Sequence, residues 1–294
     1  MLSLQTNSAA LTAQASVNNT QKALATSQTR LGTGYRINSA MDDAAGLQIA
    51  TRLNAQSRGM AVAMRNTQNG ISMMQTAEGA FSEVTDMLTR MKDLATEAAS
   101  ASSTAADQTA MQSEYDALGT ELTNVMKNTS FGGANLFSSG TTVDGTGGKL
   151  SAAMDFQIGA SSAEKMTVDV SSQLTAVTTA LAGVSKEYAA TPAAGTELTA
   201  AGSANTMIDT LSSAIASVST LRSSLGAASN RLDHVYNNLS NMSTNTNQAK
   251  SRIMDVDYAS ETANMTSKQM LLQASTTMLK QSSSSSQLVL SLLQ

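Results

Sequence analysis

The chain has 294 residues, room for one or two ordinary domains, and a formal charge of -4 with a sequence pI near 5.0, so it lacks the basic footprint of a nucleic-acid binder. Aromatic residues make up only 3%, tryptophan is absent, and the apolar residues are largely Ala, Met, Leu and Val, which favours long helices packed through small side chains. The absence of cysteine excludes disulfides, thiol nucleophiles and thiolate metal sites, and a single histidine leaves little for zinc.

The opening residues, Met1-Leu2-Ser3-Leu4-Gln5-Thr6-Asn7, have neither the basic nor the apolar region of a secretory signal peptide, and no apolar run is long enough to span a bilayer. Composition by itself therefore reads as cytoplasmic. A first helix is expected from about Ala9 to Leu31. Ala10, Val17, Leu24 and Leu31 stand seven apart, and Ala13, Thr20 and Ser27 follow three places on. One heptad position is apolar and the other small or weakly polar. Burying an aliphatic side chain is worth roughly 1.5 to 3 kcal/mol, whereas ordering backbone costs about 1 to 2 kcal/mol per residue, so this helix needs partners.

Between Leu31 and Arg52 one helix ends and another begins. Gly32 and Gly34 suit a helix exit, and Ser39 with Asp42 three places on reads as the capping box of the next helix. That helix carries the clearest stripe in the chain: Met74, Ala77, Phe81, Val84, Leu88, Met91, Ala95 and Ala98. Ser100 to Ala106 breaks it, and a returning helix follows with Met111, Tyr115, Leu118, Leu122 and Val125 at the same spacing, giving an antiparallel pair that ends at Asn128 to Phe137 with Gly132-Gly133.

Ser138 to Gly148 is a loop, and alternating Phe156 and Ile158, then Met166, Val168 and Val170, describe a small hairpin to be laid on a helix. Leu174, Val177, Leu181 and Val184 mark a short helix that ends before Pro192, and Ala189 to Ser203 is the best linker candidate. A long helix carries Leu211, Ile215, Val218, Leu225, Ala228, Leu232, Val235, Leu239, Met242, Thr246, Ala249 and Ile253; its 45 or so residues would extend about 70 Å. Met265, Leu272 and Leu279, seven apart with Leu271 and Met278 beside them, give the last helix a stripe that can meet the first in an antiparallel coil. The run from Ser282 to Ser286 weakens helix propensity near the end.

The expected fold is thus mainly α. Residues 1–40 and 255–294 form an inner coiled coil, and 41–254 an outer helical bundle with a hairpin near 150–170 and a variable segment at 171–203.

Candidate chemistry is sparse. Asp42-Asp43 can be a carboxylate pair or simply the acids that a helix start favours, and no motif accompanies the first reading. His234 lies off its helix's stripe, at a solvated or interface position. Gly32-Thr33-Gly34 is too short for a phosphate loop and follows no strand, and heptad-spaced Met reads as core packing. Arg90 and Leu94 share one outer flank four residues apart, with Glu114 on the returning helix; they describe either a contact surface or an ordinary exposed leucine among charges.

The motif Leu31-Gly-Thr-Gly-Tyr-Arg-Ile-Asn-Ser-Ala-Met-Asp-Asp-Ala-Ala-Gly46 closely resembles the junction motif of bacterial flagellin, the flagellar filament subunit, usually Arg-Leu-Ser-Ser-Gly-Leu-Arg-Ile-Asn-Ser-Ala-Lys-Asp-Asp-Ala-Ala-Gly. The resemblance extends to Phe137 and resumes from about Thr220, including Ser251-Arg252-Ile253, Asp255, Asp257, Tyr258, Ala259 and the end Val289-Leu290-Ser291-Leu292-Leu293. The serine run stands where the family has a Gln/Asn/Val/Pro segment. With about 60 residues between Phe137 and the long returning helix, no full outer domain is expected.

The resemblance implies a structural subunit, without active site or cofactor, exported unfolded through the flagellum's channel and polymerised outside the cell for swimming. It implies junction residues Gly32, Gly34, Arg36, Asn38, Asp42 and Asp43, and subunit packing through Ala10, Val17, Leu24, Leu31, Met265, Leu272 and Leu279. The implied partners are further copies of the chain, the export apparatus, an export chaperone, and the filament cap and junction proteins. Thr89-Arg90-Met91-Lys92-Asp93-Leu94-Ala95 is similar to the family's Gln-Arg-Val-Arg-Glu-Leu-Ala, with Thr89 for glutamine; Arg90, Leu94 and Glu114 match the surface recognised by Toll-like receptor 5. A hook-filament junction protein, which would form a short ring, shares this plan. A cytoplasmic coiled-coil scaffold would need no export.

Overall fold

The computed structural model describes residues 7–140, 143–189, 193–200 and 202–292, the side chains of 285–292 excepted. The stripes of the sequence become helices α1 (Ser8–Thr33), α2 (Ala44–Ala98), α3 (Ala105–Asn128), α4 (Ser171–Val184), α5 (Ser203–Met254) and α6 (Tyr258–Leu292). Two small antiparallel pairs accompany them. Strands β1 (Ser130–Phe131) and β2 (Ala134–Asn135) form one pair, and β3 (Met154–Gln157) and β4 (Lys165–Val168) are the expected hairpin, with Met154 opposite Val168. Pro192 and part of the serine run's side chains lie outside the described residues.

The chain packs as two compact units, Met1–Ser57 with Thr244–Gln294, and Arg58–Ser243; α2 and α5 contribute to both. The expectation puts this division at 40/41 and 254/255, whereas packing divides the chain further along α2 and earlier in α5.

In the unit Arg58–Ser243 the core is built from the predicted stripes. Met74, Phe81, Val84, Leu88 and Met91 of α2 are fully buried with Tyr115 and Leu122 of α3, Leu174, Val177 and Leu181 of α4, and Leu211, Val218 and Leu225 of α5. The Phe81 and Phe137 rings stack tilted with centroids 4.5 Å apart. The hairpin is laid on a helix, as the alternation predicts. A Cβ on Gly70 of α2 would come within 2.9 Å of the Phe156 ring, and one on Gly59 within 2.6 Å of Ala160, so two glycines on α2 make room for the ribbon.

Part of the stretch expected to be a linker is packed instead. A row on α3 at one residue per turn, Gln112, Tyr115, Gly119 and Thr123, holds the segment after α4 largely through its backbone. Gln112 accepts from the Leu198 amide (2.7 Å) and donates to Glu197 (2.8 Å), the Tyr115 hydroxyl donates to Val184 O (2.7 Å), and the Thr123 hydroxyl donates to Glu187 O (3.1 Å). Gly119 leaves space for Ser185, whose Oγ would lie 2.5 Å from a Cβ there. Leu198 is buried beneath this strap, and burial pushes the Tyr115 hydroxyl pKa up. Low propensity marks irregular backbone, but an irregular segment can still be fixed by side chains that read its amides and carbonyls.

Aspartates engage backbone amides around the helix starts. Thr104 and Asp107 form a reciprocal capping box on α3, Asp169 and Asp257 accept from the first amides of α4 and α6, and Asp42 accepts from amides of the turn that precedes α2. Those bonds hold all four carboxyls below their ordinary value of 3.8. A carboxyl with a lowered folded pKa stabilises the fold fully above 3.8 and loses that contribution as pH falls through the lowered value. Thermal unfolding followed by circular dichroism is therefore expected to show a midpoint insensitive to these groups from neutrality to about pH 5, falling as the pH drops below the unfolded carboxylate range. Asp107→Asn should flatten part of that acid limb.

Candidate functional site

The joint between α1 and α2 is pinned to the link between α5 and α6. Gly34 caps α1 in the left-handed conformation (φ 75°), its amide bonded to Arg30 O, and a Cβ there would also strike the Tyr258 hydroxyl at 2.9 Å. The backbone beyond it pairs antiparallel with 254–256: the Arg36 amide donates to Met254 O (2.6 Å) and the Val256 amide to Gly34 O (3.0 Å), with Tyr35 opposite Asp255. The Arg36 guanidinium donates to Ile253 O (3.0 Å), and the Asn38 amide group to Tyr35 O (2.8 Å).

Two expectations for this joint change. Gly32 lies inside α1 with open space where a Cβ would go, so Gly34 alone makes the exit. Ser39 and Asp42 do not cap α2. Asp42 accepts from the Asn38 and Ser39 amides (3.0 and 2.9 Å) and shapes the preceding turn, while Asp43 is the cap, accepting from the Gly46 amide at 2.8 Å. Both carboxylates are thereby engaged in backbone geometry. Ile37, buried, and Gly46, whose missing Cβ would lie 2.8 Å from the Ile37 side chain, complete the turn and were not singled out from the sequence.

From this joint α1 and α6 run antiparallel against each other. The inward residues of α1 are Ala10, Ala13, Val17, Thr20, Leu24, Ser27 and Leu31; those of α6 are Glu261, Met265, Lys268, Leu272, Ser275, Leu279 and Ser282. Both rows alternate spacings of three and four, as a coiled-coil seam does. All seven residues expected to pack between subunits thus lie in a seam within the chain; of them only Val17 is buried, at 8% exposure, and the others are half-buried. Among the described side chains of the two helices Leu11, Tyr258, Met270, Leu271 and Met278 face outward, and a groove between the two helices is lined by Ser8, Thr12, Ser16, Ala274 and Met278.

Polar residues fix the seam's register. Lys268 Nζ donates to Ser27 Oγ (2.8 Å), Arg30 pairs with buried Glu261 at 3.8 Å and with Asp42 at 4.0 Å, and Asn7 donates to Ser282 O (3.0 Å). The apolar spacing repeats every seven residues and would be met again after a slide of one heptad. Arg30 and Glu261 would then lose each other. The pair is loose, Arg30 Nε and Glu261 Oε1 having no hydrogen bond among the described residues.

Of the matched surface trio, Arg90 and Glu114 are exposed and joined at 2.7 Å across α2 and α3. Leu94 departs from its expected place on the outer flank: it is 2% exposed and belongs to the core. A helix packed against several others buries a wider arc than the two-position seam from which the flank was inferred. Met242 departs the other way, 40% exposed just past Leu239, the last buried core residue of α5. His234 is exposed, as its off-stripe position predicts. Among the described residues no cluster of three potential metal ligands occurs, and no helix is long and apolar enough to cross a membrane.

Residues 4–142 match the N-terminal helical region of bacterial flagellin, and residues 208–293 match its C-terminal helical region. The chain belongs to the bacterial flagellin family. This flagellin is 47% identical over 169 residues to polar flagellin B/D of Vibrio parahaemolyticus, covering 58% of this chain and 42% of that one. It is 44% identical over 190 residues to flagellin B of Vibrio anguillarum, covering 65% and 47%. It spans less than half the length of these curated relatives. A flagellar hook-associated protein from Vibrio parahaemolyticus shares the fold at a TM-score of 0.55 and 15% identity, covering 73% of this chain and all of that one.

The ion pair in the flagellin seam yields a direct test. Glu261→Ala leaves Arg30 only its 4.0 Å contact with Asp42 and should cost about 1 to 3 kcal/mol in urea unfolding, less than a fully buried pair because Arg30 is partly exposed. Replacing both by Leu should restore most of the loss.

Proposed function

We propose that this flagellin is a structural subunit that polymerises with copies of itself into an extracellular helical filament for swimming, and that it has no catalytic role. The observation that carries the reading is the half-finished seam. Helices α1 and α6 meet along a line with few large apolar residues and several polar ones, while Leu11, Met270, Leu271 and Met278 face outward. Contacts from identical neighbours would cover those side chains, and contacts of this heterologous kind, repeated without closing, give an open filament. Export as an unfolded chain through the flagellum's channel, helped by a chaperone and received by cap and junction proteins, accords with family membership.

The exposed Arg90–Glu114 pair is the proposed centre of a surface for Toll-like receptor 5, with Leu94 supporting it from the core. The fold shared with a hook-associated protein favours a second reading, a short junction ring. Seeding purified protein and viewing the product by electron microscopy separates the two. Long filaments are expected, and loss of polymerisation when residues 1–33 and 258–294 are removed. Short closed rings, or fibres formed by the trimmed chain, would contradict the filament reading.

A further inference from the structure

Among the described residues the exposed methionines are Met41, Met242, Met270 and Met278, whereas Met60, Met74, Met91 and Met126 are buried. With no cysteine in the chain, these thioethers are the most readily oxidised groups on its surface. Of the four only Met278, 67% exposed, lines the groove of about 530 Å³ between α1 and α6, where Ser8, Thr12, Ser16 and Ala274 also lie.

The hydroxyls of that groove have few hydrogens to give. Thr12 donates to Ser8 O (2.8 Å) and Ser16 to Thr12 O (3.0 Å), so both are committed to carbonyls of their own helix. A thioether needs no donor and suits such a lining. A sulfoxide oxygen is a polar acceptor, solvated while the groove stays open but left without a partner once a neighbouring copy covers it, and burying it that way is unfavourable.

We propose that Met278 is a redox-sensitive modification site for a peroxide-class oxidant, and that its oxidation bars the subunit from the filament without unfolding it. The proposal rests on the filament reading. The sulfur lone pair attacks one peroxide oxygen and the O–O bond breaks as the S–O bond forms. The departing hydroxide takes the proton of the transferred oxygen and leaves as water, so sulfur gives up two electrons and the peroxide gains them. Since assembly covers the side chain, the free subunit is the form that reacts.

Hydrogen peroxide is the probe. Peptide mass mapping of treated monomer should find an added oxygen on Met41, Met242, Met270 and Met278 and none on Met60, Met74, Met91 or Met126, while in treated filaments Met278 should be spared. The oxidised monomer should need at least about a tenfold higher concentration for seeded elongation, with its melting temperature unchanged, and methionine sulfoxide reductases A and B together should reverse the effect. A chain carrying M41L, M242L and M270L should still be stopped by oxidation, and Met278→Leu should resist it. Oxidised wild type that elongates normally, M278L that is stopped equally, or Met278 oxidised as readily in filaments as in monomer would overturn the site while leaving the filament reading standing. Untreated wild type that forms no filament at all would remove both.

Discussion

The contact on which the rest of this molecule depends is the seam between α1 and α6. It is long enough to order both helices and too poor in large side chains to do so strongly. Ala10, Ala13, Thr20, Ser27, Ser275 and Ser282 occupy positions that a self-sufficient coiled coil would fill with Leu or Ile. Small side chains let the backbones approach but remove little apolar surface from water, so each layer offsets only part of the ordering cost. A strong seam would close the molecule on itself. A weak one leaves both helices ready to gain from neighbours, and the polar contacts at Ser27, Arg30, Glu261 and Lys268 keep the register single while the apolar layers remain sparse.

The unit Arg58–Ser243 is built on the opposite principle. Its α2 stripe is buried on a wide arc, its two glycine notches seat the hairpin, and its α3 row fixes the segment after α4 through backbone hydrogen bonds. Most of those contacts are satisfied inside the unit. One chain thus combines a part that completes its core alone with a part whose core stays open, and this division makes polymerisation of a folded subunit physically reasonable.

Much of this was legible in the sequence, because heptad spacing reports directly which residues share a helix face. The stripes from Met74 to Ala98 and from Leu211 to Leu239, the hairpin at Phe156 and Met166, and the pairing of the two end helices all follow from period. What period cannot report is how many partners a helix has. Leu94 lies off a two-helix seam but inside a multi-helix core, and Met242 continues a stripe past the point where the core stops. The pattern S-x-x-D points to Ser39 and Asp42 as the cap; Asp43 takes that role instead, its carboxylate accepting from the Gly46 amide and lying where a Cβ on residue 46 would come within 2.4 Å. The strap on α3 has no periodic sequence signal, since apart from the Gln112–Glu197 bond and the Gly119–Ser185 fit its hydrogen bonds from α3 go to main-chain atoms that every residue carries.

A terminal seam that is marginal in a single copy and completed by neighbouring copies leaves a signature in backbone exchange. Amide hydrogen exchange on monomer and filament, resolved along the chain, tests it most directly. Helices α1 and α6 are expected to exchange fast in the monomer and become strongly protected in the filament, while the α2 and α5 segments of the unit Arg58–Ser243 are protected in both. Equal protection of α1 and α6 in the two states would contradict it.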